Sequence, residues 1–272
     1  MSYLILECGS VARGDTNMRS DRDLVCIWSD SPPNYLAIEE AYGDTMFYSL
    51  ESIKKMREKG SLFLTHLDID SKYLAGDINI FSFLKGYRPL KKQINNSCFD
   101  TLNFIKNINW YPDSLIGRLW LCDVLYVSLR NFIFCKNALK NHYSFGYEDA
   151  MRNFTLAENN ILTMLLIREG KYSYRCKDTR QKEKINIRDI EEACQVILGQ
   201  PVKFLAGGTT NWTEIYKKDY WSERLIERAI INKEYDDTAF LNKIKLHNYN
   251  KNSIKSDLAK IIKLKNPHAL IK

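Results

Sequence analysis

The residues best placed to do chemistry lie near the start of the chain. Gly9-Ser10 is followed, after a spacer of ten residues, by Asp21-Arg22-Asp23. On a β-strand the side-chain period is two, so carboxylates separated by one residue point to the same face. Side by side, Asp21 and Asp23 can share two Mg²⁺ ions roughly 3.5–4 Å apart, the arrangement that supports in-line transfer at a phosphoryl group. Hard oxygen donors suit Mg²⁺, which keeps substrate phosphates in its own shell, and Mn²⁺ would be held by the same donors. A Gly-Ser turn leaving a strand can cradle a triphosphate with backbone N–H groups and a hydroxyl. Arg13 and Ser20, in the segment between the two motifs, are further candidates for phosphate contacts.

These groups need rigid elements to hold them. Tyr3–Glu7 and Leu24–Trp28 are rich in Leu, Ile, Val and aromatics, as short buried strands are. The polar loop GSVARGDTNMRSDRD separates them. After the break at Ser31-Pro32-Pro33, an extended piece over residues 44–49 leads into a helical pattern from Leu50 to Lys59, closed by Gly60. Periodicity does not decide whether Ser61–Leu67 is helix or strand. Beyond about residue 95 the pattern turns to amphipathic helices, expected near 99–109, 113–141, 147–169, 187–198, 212–234 and 252–264. Gly170 and Gly199 are read as exits. Leu115, Leu119, Cys122, Tyr126, Leu129 and Ile133 recur every three or four residues and form a core stripe. The expected fold class is therefore α+β: a small mixed-sheet head over residues 1–95 and a mainly helical domain over 96–272.

The segment GSVARGDTNMRSDRDLVCIW resembles the signature of the DNA polymerase β-like nucleotidyltransferase superfamily: Gly-Ser, a spacer, then Asp-x-Asp followed by apolar residues. Ala12-Arg13-Gly14 and Ser20-Asp21-x-Asp23-Leu24 are similar to its small bacterial members, among them the minimal enzymes and those of two-gene antiphage systems such as Hailong. The resemblance implies a polymerase β-like palm in the head. It also implies a third carboxylate on a neighbouring strand. Asp44, which opens DTMFYSLESI, is the favoured candidate, although it follows Gly43 where the family places an apolar residue. Asp68 or Asp70 in LTHLDIDSKYL is the alternative, with Asp70 taken as the alternative third ligand. The implied catalytic and metal-holding set is Asp21, Asp23 and Asp44, with Gly9, Ser10, Arg13 and Ser20 around the nucleotide. The implied reaction moves a nucleoside monophosphate from an NTP (ATP among them) or dNTP to a hydroxyl and releases pyrophosphate. Template-independent oligonucleotide or signal synthesis in antiphage defence is the leading role. Nucleotidylation of a partner protein in a toxin–antitoxin pair is the alternative, and modification of an antibiotic ranks below both. The partners implied are the nucleotide, a cognate effector or toxin, and the enzyme's own oligonucleotide product.

Composition sets bounds around this. The 272 residues carry 40 Lys+Arg against 33 Asp+Glu, with 45% hydrophobic residues and few Gly or Pro, which excludes a disordered or fibrous chain. Residues 1–70 hold 7 basic and 12 acidic side chains, and residues 71–272 hold 33 and 21. An acidic head on a basic body suits bound cations and a polyanionic ligand. The seven cysteines are scattered without a CxxC pair and do not cluster with the four histidines, so buried reduced thiols in a cytoplasmic protein are expected. The start MSYLILECGS has no basic n-region or cleavable apolar stretch. Arg118, Asp123 and Arg130 interrupt the most apolar run, which reads as a buried helix and not a membrane span. His66 reads as a core histidine, and Arg130 and Lys136 as solvated. The basic run Lys171–Lys184, with Tyr172 and Tyr174 interleaved, reads as a polar connector with an extended start or as a nucleotide-binding edge.

Overall fold

The computed structural model describes residues 2–16, 22–175, 186–246 and 251–267. Ser20 and Asp21 lie outside these, as does most of the basic run beyond Arg175. In chain order the elements are β1 (Ser2–Cys8), α1 (Gly9–Arg13), β2 (Asp23–Ser29), α2 (Tyr35–Tyr42), β3 (Thr45–Ser49), α3 (Leu50–Glu58), α4 (Leu62–Asp70) and β4 (Lys72–Gly76). A 3₁₀ turn (Ile78–Phe83) follows, then α5 (Lys91–Asn107), β5 (Trp110–Tyr111), α6 (Leu115–Leu139), α7 (Tyr147–Asn153), α8 (Glu158–Arg175) and α9 (Ile187–Leu198). The chain continues through β6 (Leu205–Ala206), α10 (Tyr220–Ile231), α11 (Thr238–Leu246) and α12 (Lys251–Lys265). The class is mixed α+β and mainly helical. Among the described residues no helix is long and apolar enough to cross a membrane.

The chain divides into two compact units, each made from two segments. The first comprises residues 1–100 and 131–156, and the second residues 101–130 and 157–272. The division falls inside α5 and α6.

The first unit holds a four-stranded mixed sheet in the order β3-β2-β1-β4. β1 pairs antiparallel with both β2 and β4, and β2 pairs parallel with β3. Both sheet faces are covered. Leu4, Leu6, Cys8, Val25 and Ile27 point to one side, against Ile53 of α3, Leu64 and Leu67 of α4, and Ile80, Leu84 and Tyr87. Ile5 and Cys26 point to the other, against Ile38 of α2 with Tyr42, Phe47 and Leu74. With apolar contacts on both faces, the strands read as unbroken apolar runs and not as alternating ones. Ser49 caps α3 by accepting from the Ser52 amide at 3.1 Å. The undecided Ser61–Leu67 segment is helix α4, and Asp70 ends it, followed directly by β4.

The second unit is helical apart from the short parallel pair β5–β6. Its centre is a buried charge network. Arg175 grips Asp123 with two hydrogen bonds, Nη2 to Oδ2 at 2.6 Å and Nε to Oδ1 at 3.0 Å. Arg224 also pairs with Asp123, and its Nη1 lies 2.8 Å from Glu227 Oε2. Glu227 further accepts from Trp120 Nε1 at 3.1 Å and from the Tyr174 hydroxyl at 2.5 Å. Asp123, Arg224 and Glu227 are wholly excluded from solvent. The arginines hold the Asp123 carboxyl below the usual carboxylate range against the opposing effect of burial, whereas burial pushes Glu227 up.

Several helix boundaries differ from expectation, for identifiable reasons. The single helix expected over 147–169 is two helices, because Thr155 adopts a left-handed conformation with φ 65°. Helix α8 does not stop at Gly170. It runs to Arg175 with Gly170 buried, so the expected extended start of the basic connector is the last turn of a helix. The stretch expected as one helix over 212–234 is a short 3₁₀ turn followed by α10, whose entry is set by Asp219 accepting from the Ser222 amide at 2.9 Å.

Candidate functional site

The site is assembled around the first turn of the chain. β1 ends at Cys8, and Gly9 opens α1 with φ +77°. A Cβ placed on Gly9 would lie 2.3 Å from Asp23 Oδ2 and 3.3 Å from its Cγ. Two features favour glycine here: a backbone conformation that L side chains adopt at a cost, and the close approach of a carboxylate that any Cβ would displace. The Gly-Ser motif and the second acid of the Asp-x-Asp motif are in direct juxtaposition.

Register fixes what stands beside Asp23. In the antiparallel ladder Cys8 pairs with Asp23 and Glu7 with Leu24. The alternation expected for β2 holds among the described residues. Arg22 turns to the Glu7 side, its Nε 2.6 Å from Glu7 Oε1 and its Nη1 donating to the Tyr42 carbonyl at 3.2 Å. Asp23 occupies the opposite face, the one covered by α3 and α4. In the parallel ladder Leu24 pairs with Thr45, so extending that register by one residue sets Asp44 level with Asp23. Both are exposed at the same end of the sheet. The Gly43 that interrupts the apolar pattern before Asp44 has φ 102°, which turns the chain out of α2 into β3 in a conformation open to glycine.

Asp70, the alternative third carboxylate, has a different setting. It ends α4, where Arg13 Nη1 lies 3.2 Å from its Oδ2 and His66 Nε2 3.4 Å from the same oxygen. Burial pushes the Asp70 carboxyl up, against the pull of the Arg13 guanidinium. Asp68, two residues earlier, is committed to Arg88 at 2.6 Å and to the Gly86 amide at 3.0 Å. His66 is not a plain core histidine. Its Nε2 stands 3.2 Å from Arg13 Nη1, and its ring packs on Phe145 with centroids 4.8 Å apart. Arginine carries donors only, so in this contact His66 accepts.

The thiol of Cys8 registers the charges gathered here. It is pushed up to about 12, first by burial, then by the Asp23 carboxylate; Asp70 and Glu7 act in the same sense, and Arg13 opposes them. The six described cysteines are free and buried.

Gly9 and Asp23 are brought together, with Asp44 level with Asp23 on the neighbouring strand, and Arg13 ends the short helix that Gly9 opens. Ser10 sits in α1, half-buried, and Ser20 and Asp21 fall outside the described residues. Among the described residues no three His, Cys, Asp or Glu side chains form a group able to hold a metal ion; the pattern that suggested one includes Asp21. The donors that are described suit a hard cation, being carboxylate oxygens on one sheet face, with a glycine leaving room for one of them. What the sequence did not reveal is the partnership of Arg13 with His66 and Asp70, which are 53 and 57 residues away along the chain. The apolar residues around His66 gave no signal for it.

The basic run with interleaved tyrosines is not an aromatic edge at Tyr174. That side chain is buried, and its hydroxyl is spent on Glu227. Lys171 instead lies over the rings of Tyr126 and Tyr172, at 4.7 and 5.1 Å from their centroids. Arg130 likewise lies over the Tyr126 ring, 5.2 Å from its centroid.

No protein-family model, curated protein or solved structure matches the chain.

Proposed function

We propose that the chain is a divalent-metal-dependent nucleotidyltransferase with a polymerase β-like palm in its first unit. The observation that carries this reading is the seating of the Asp23 carboxylate against Gly9, with Asp44 at the same level on the parallel neighbour. A Gly-Ser turn, the second acid of the Asp-x-Asp motif and an acid beside the adjoining strand come from three separate stretches of sequence, and an acidic loop of no function would not require them at one end of one sheet.

In this reading Asp21, Asp23 and Asp44 hold two magnesium ions. When bound, these would acidify the attacking hydroxyl and stabilise the leaving pyrophosphate. The chain's own contribution is positioning. The β1–β2 ladder fixes Asp23 in depth, Gly9 lets it approach the turn, and Arg13 offers a planar cation to the phosphates. Gly9 and Ser10 place backbone next to that anion, and Ser20 adds a hydroxyl from the connecting segment. No side chain is needed as a nucleophile.

The acceptor is read as an oligonucleotide extended without a template, in a defence role. Incubating the protein with Mg²⁺ and each labelled NTP or dNTP tests this. A ladder of products supports oligonucleotide synthesis, and a labelled protein band moves the assignment to nucleotidylation of a partner. A small adduct that forms only with added drug moves it to antibiotic modification. Absence of any product, with wild type and Asp21→Ala/Asp23→Ala indistinguishable, would sink the enzymatic reading.

A further inference from the structure

The guanidinium of Arg13 has two edges, and the fold treats them differently. On one, Nη1 is held by half-buried partners on α4: Asp70 Oδ2 at 3.2 Å and His66 Nε2 at 3.2 Å. The Asp70 side chain is only 10% exposed and that of His66 19%. On the other edge, Nε and Nη2 both donate to Asp15 Oδ2 at 3.3 Å, and Nη2 also lies 3.2 Å from Asp15 Oδ1. This is the two-pronged edge that matches a pair of phosphate or carboxylate oxygens. Asp15 fills it from solvent, with a side chain 41% exposed and with long bonds.

A second acid stands on the same side. Asp15 Oδ2 lies 3.1 Å from the position a Cβ on Gly146 would take, and Asp149 Oδ2 lies 2.9 Å from that same point.

We propose that Asp15 is an internal stand-in for a phosphate group. In the free protein it occupies the Nε/Nη2 edge of Arg13, and a phosphate of the incoming nucleotide displaces it. Asp70 and His66 are positioning residues that keep Nη1 fixed throughout the exchange. This assigns Asp70 to Arg13 in place of a metal ion. It rests on reading the first unit as a nucleotide site, and it adds a competitor that lowers nucleotide affinity together with the anchor that opposes it.

The exchange predicts opposite signs for two neighbouring acids. Equilibrium binding is measured by calorimetry with MgATP and, separately, with magnesium pyrophosphate. Asp15→Asn is expected to tighten both about two- to five-fold, the range set by one exposed ion pair, and Asp70→Asn to weaken both. In an Arg13→Gln background the gain from Asp15→Asn should vanish, which separates competition for the guanidinium from a general loss of negative charge. A gain that persists without Arg13 overturns the proposal, as does an effect on MgATP but not on pyrophosphate. Unchanged or weaker binding by Asp15→Asn in a protein whose wild type binds MgATP overturns it while leaving the nucleotide reading intact. Failure of the wild type to bind either probe removes both. Asp15 is exposed, so its variant tests the proposal even if Asp70→Asn folds poorly, which circular dichroism would report.

Discussion

Gly9→Ala is the perturbation that most directly tests whether the Gly-Ser turn and Asp23 form one site. Two costs are expected. Holding alanine at φ +77° carries the left-handed penalty of about 1–2 kcal/mol. In addition, the new Cβ would stand 2.3 Å from Asp23 Oδ2, while ordinary contact begins at 3.4 Å, so the carboxylate must retreat by about 1 Å. A displacement of that size at a reacting centre costs on the order of 10²-fold in turnover. Gly14→Ala is the matched control. It sits at the other end of α1 with φ +83° and nothing within 4 Å of its Cβ. It should show the conformational penalty in denaturant unfolding with activity within about two-fold of wild type, since no neighbour is displaced. Asp23→Ala completes the comparison, because with the carboxylate gone the Gly9→Ala stability cost should fall to that of Gly14→Ala. Turnover of labelled nucleotide and chemical denaturation of the four variants decide the matter. If Gly9→Ala is as active as Gly14→Ala, or if its cost is unchanged in the Asp23→Ala background, the juxtaposition has no functional weight and the reasoning fails.

Two further expectations follow from the placement of the acids. Asp44→Asn should abolish nucleotide transfer, whereas Asp70→Asn should retain turnover at saturating nucleotide with a raised KM; the reverse pattern in a steady-state assay would return Asp70 to the metal. In the second unit, Asp123→Ala should cost about 3–5 kcal/mol in denaturant unfolding, because it takes from Arg175 and Arg224 the carboxylate they share and leaves Glu227 to balance both. The Asp123 carboxyl is held below its usual range, so its stabilisation is fully present above that range and lost as the pH falls through its depressed folded value. Glu227, pushed up by burial, acts with the opposite sign. Asp123→Asn should therefore flatten the acid limb of the stability–pH curve, and an unaltered limb would show that Asp123 does not govern it.

The legible parts of the fold are those in which local pattern and tertiary demand coincide. β1, β2 and β3 appear as apolar runs because both sheet faces are covered, and α3 is bounded by a serine cap and Gly60. The alternation that sends Arg22 to Glu7 and Asp23 to Gly9 is a property of any strand and needs no tertiary knowledge. Legibility ends where a distant partner overrides local preference. Gly170 reads as a helix stop, yet α8 continues for another turn because Tyr174 and Arg175 must reach Glu227 and Asp123. Thr155 breaks a helix with no glycine or proline beside it. α4 is an apolar segment without a decisive period, since Leu64, Thr65 and Leu67 are all buried. The fixed half of Arg13 was not legible because both of its half-buried partners lie on that undecided helix.

Charge leads to the sharpest test of metal dependence. In the second unit Arg224 and Arg228 are buried and Arg175 is bound to Asp123. Their charge serves the interior of the second unit. The electrostatics of the candidate site are local to the first unit, where among the described residues Asp15, Asp23, Asp44 and Asp70 outnumber the guanidinium of Arg13, that of Arg22 being paired with Glu7. An excess of carboxylates opposes a triphosphate, and Coulomb repulsion at such separations is substantial even at the effective dielectric of a protein surface. A nucleotide should therefore enter only together with divalent cations that reverse the sign of the site. ATP binding measured by calorimetry at about 0.15 M salt, where distant charges are screened, should be undetectable in EDTA and restored by Mg²⁺ or Mn²⁺. Asp23→Asn should remove much of that restoration. Metal-free ATP binding as tight as binding in Mg²⁺ would mean that cations elsewhere in the chain hold the phosphates, and the acids at the end of the sheet would then have no part in it.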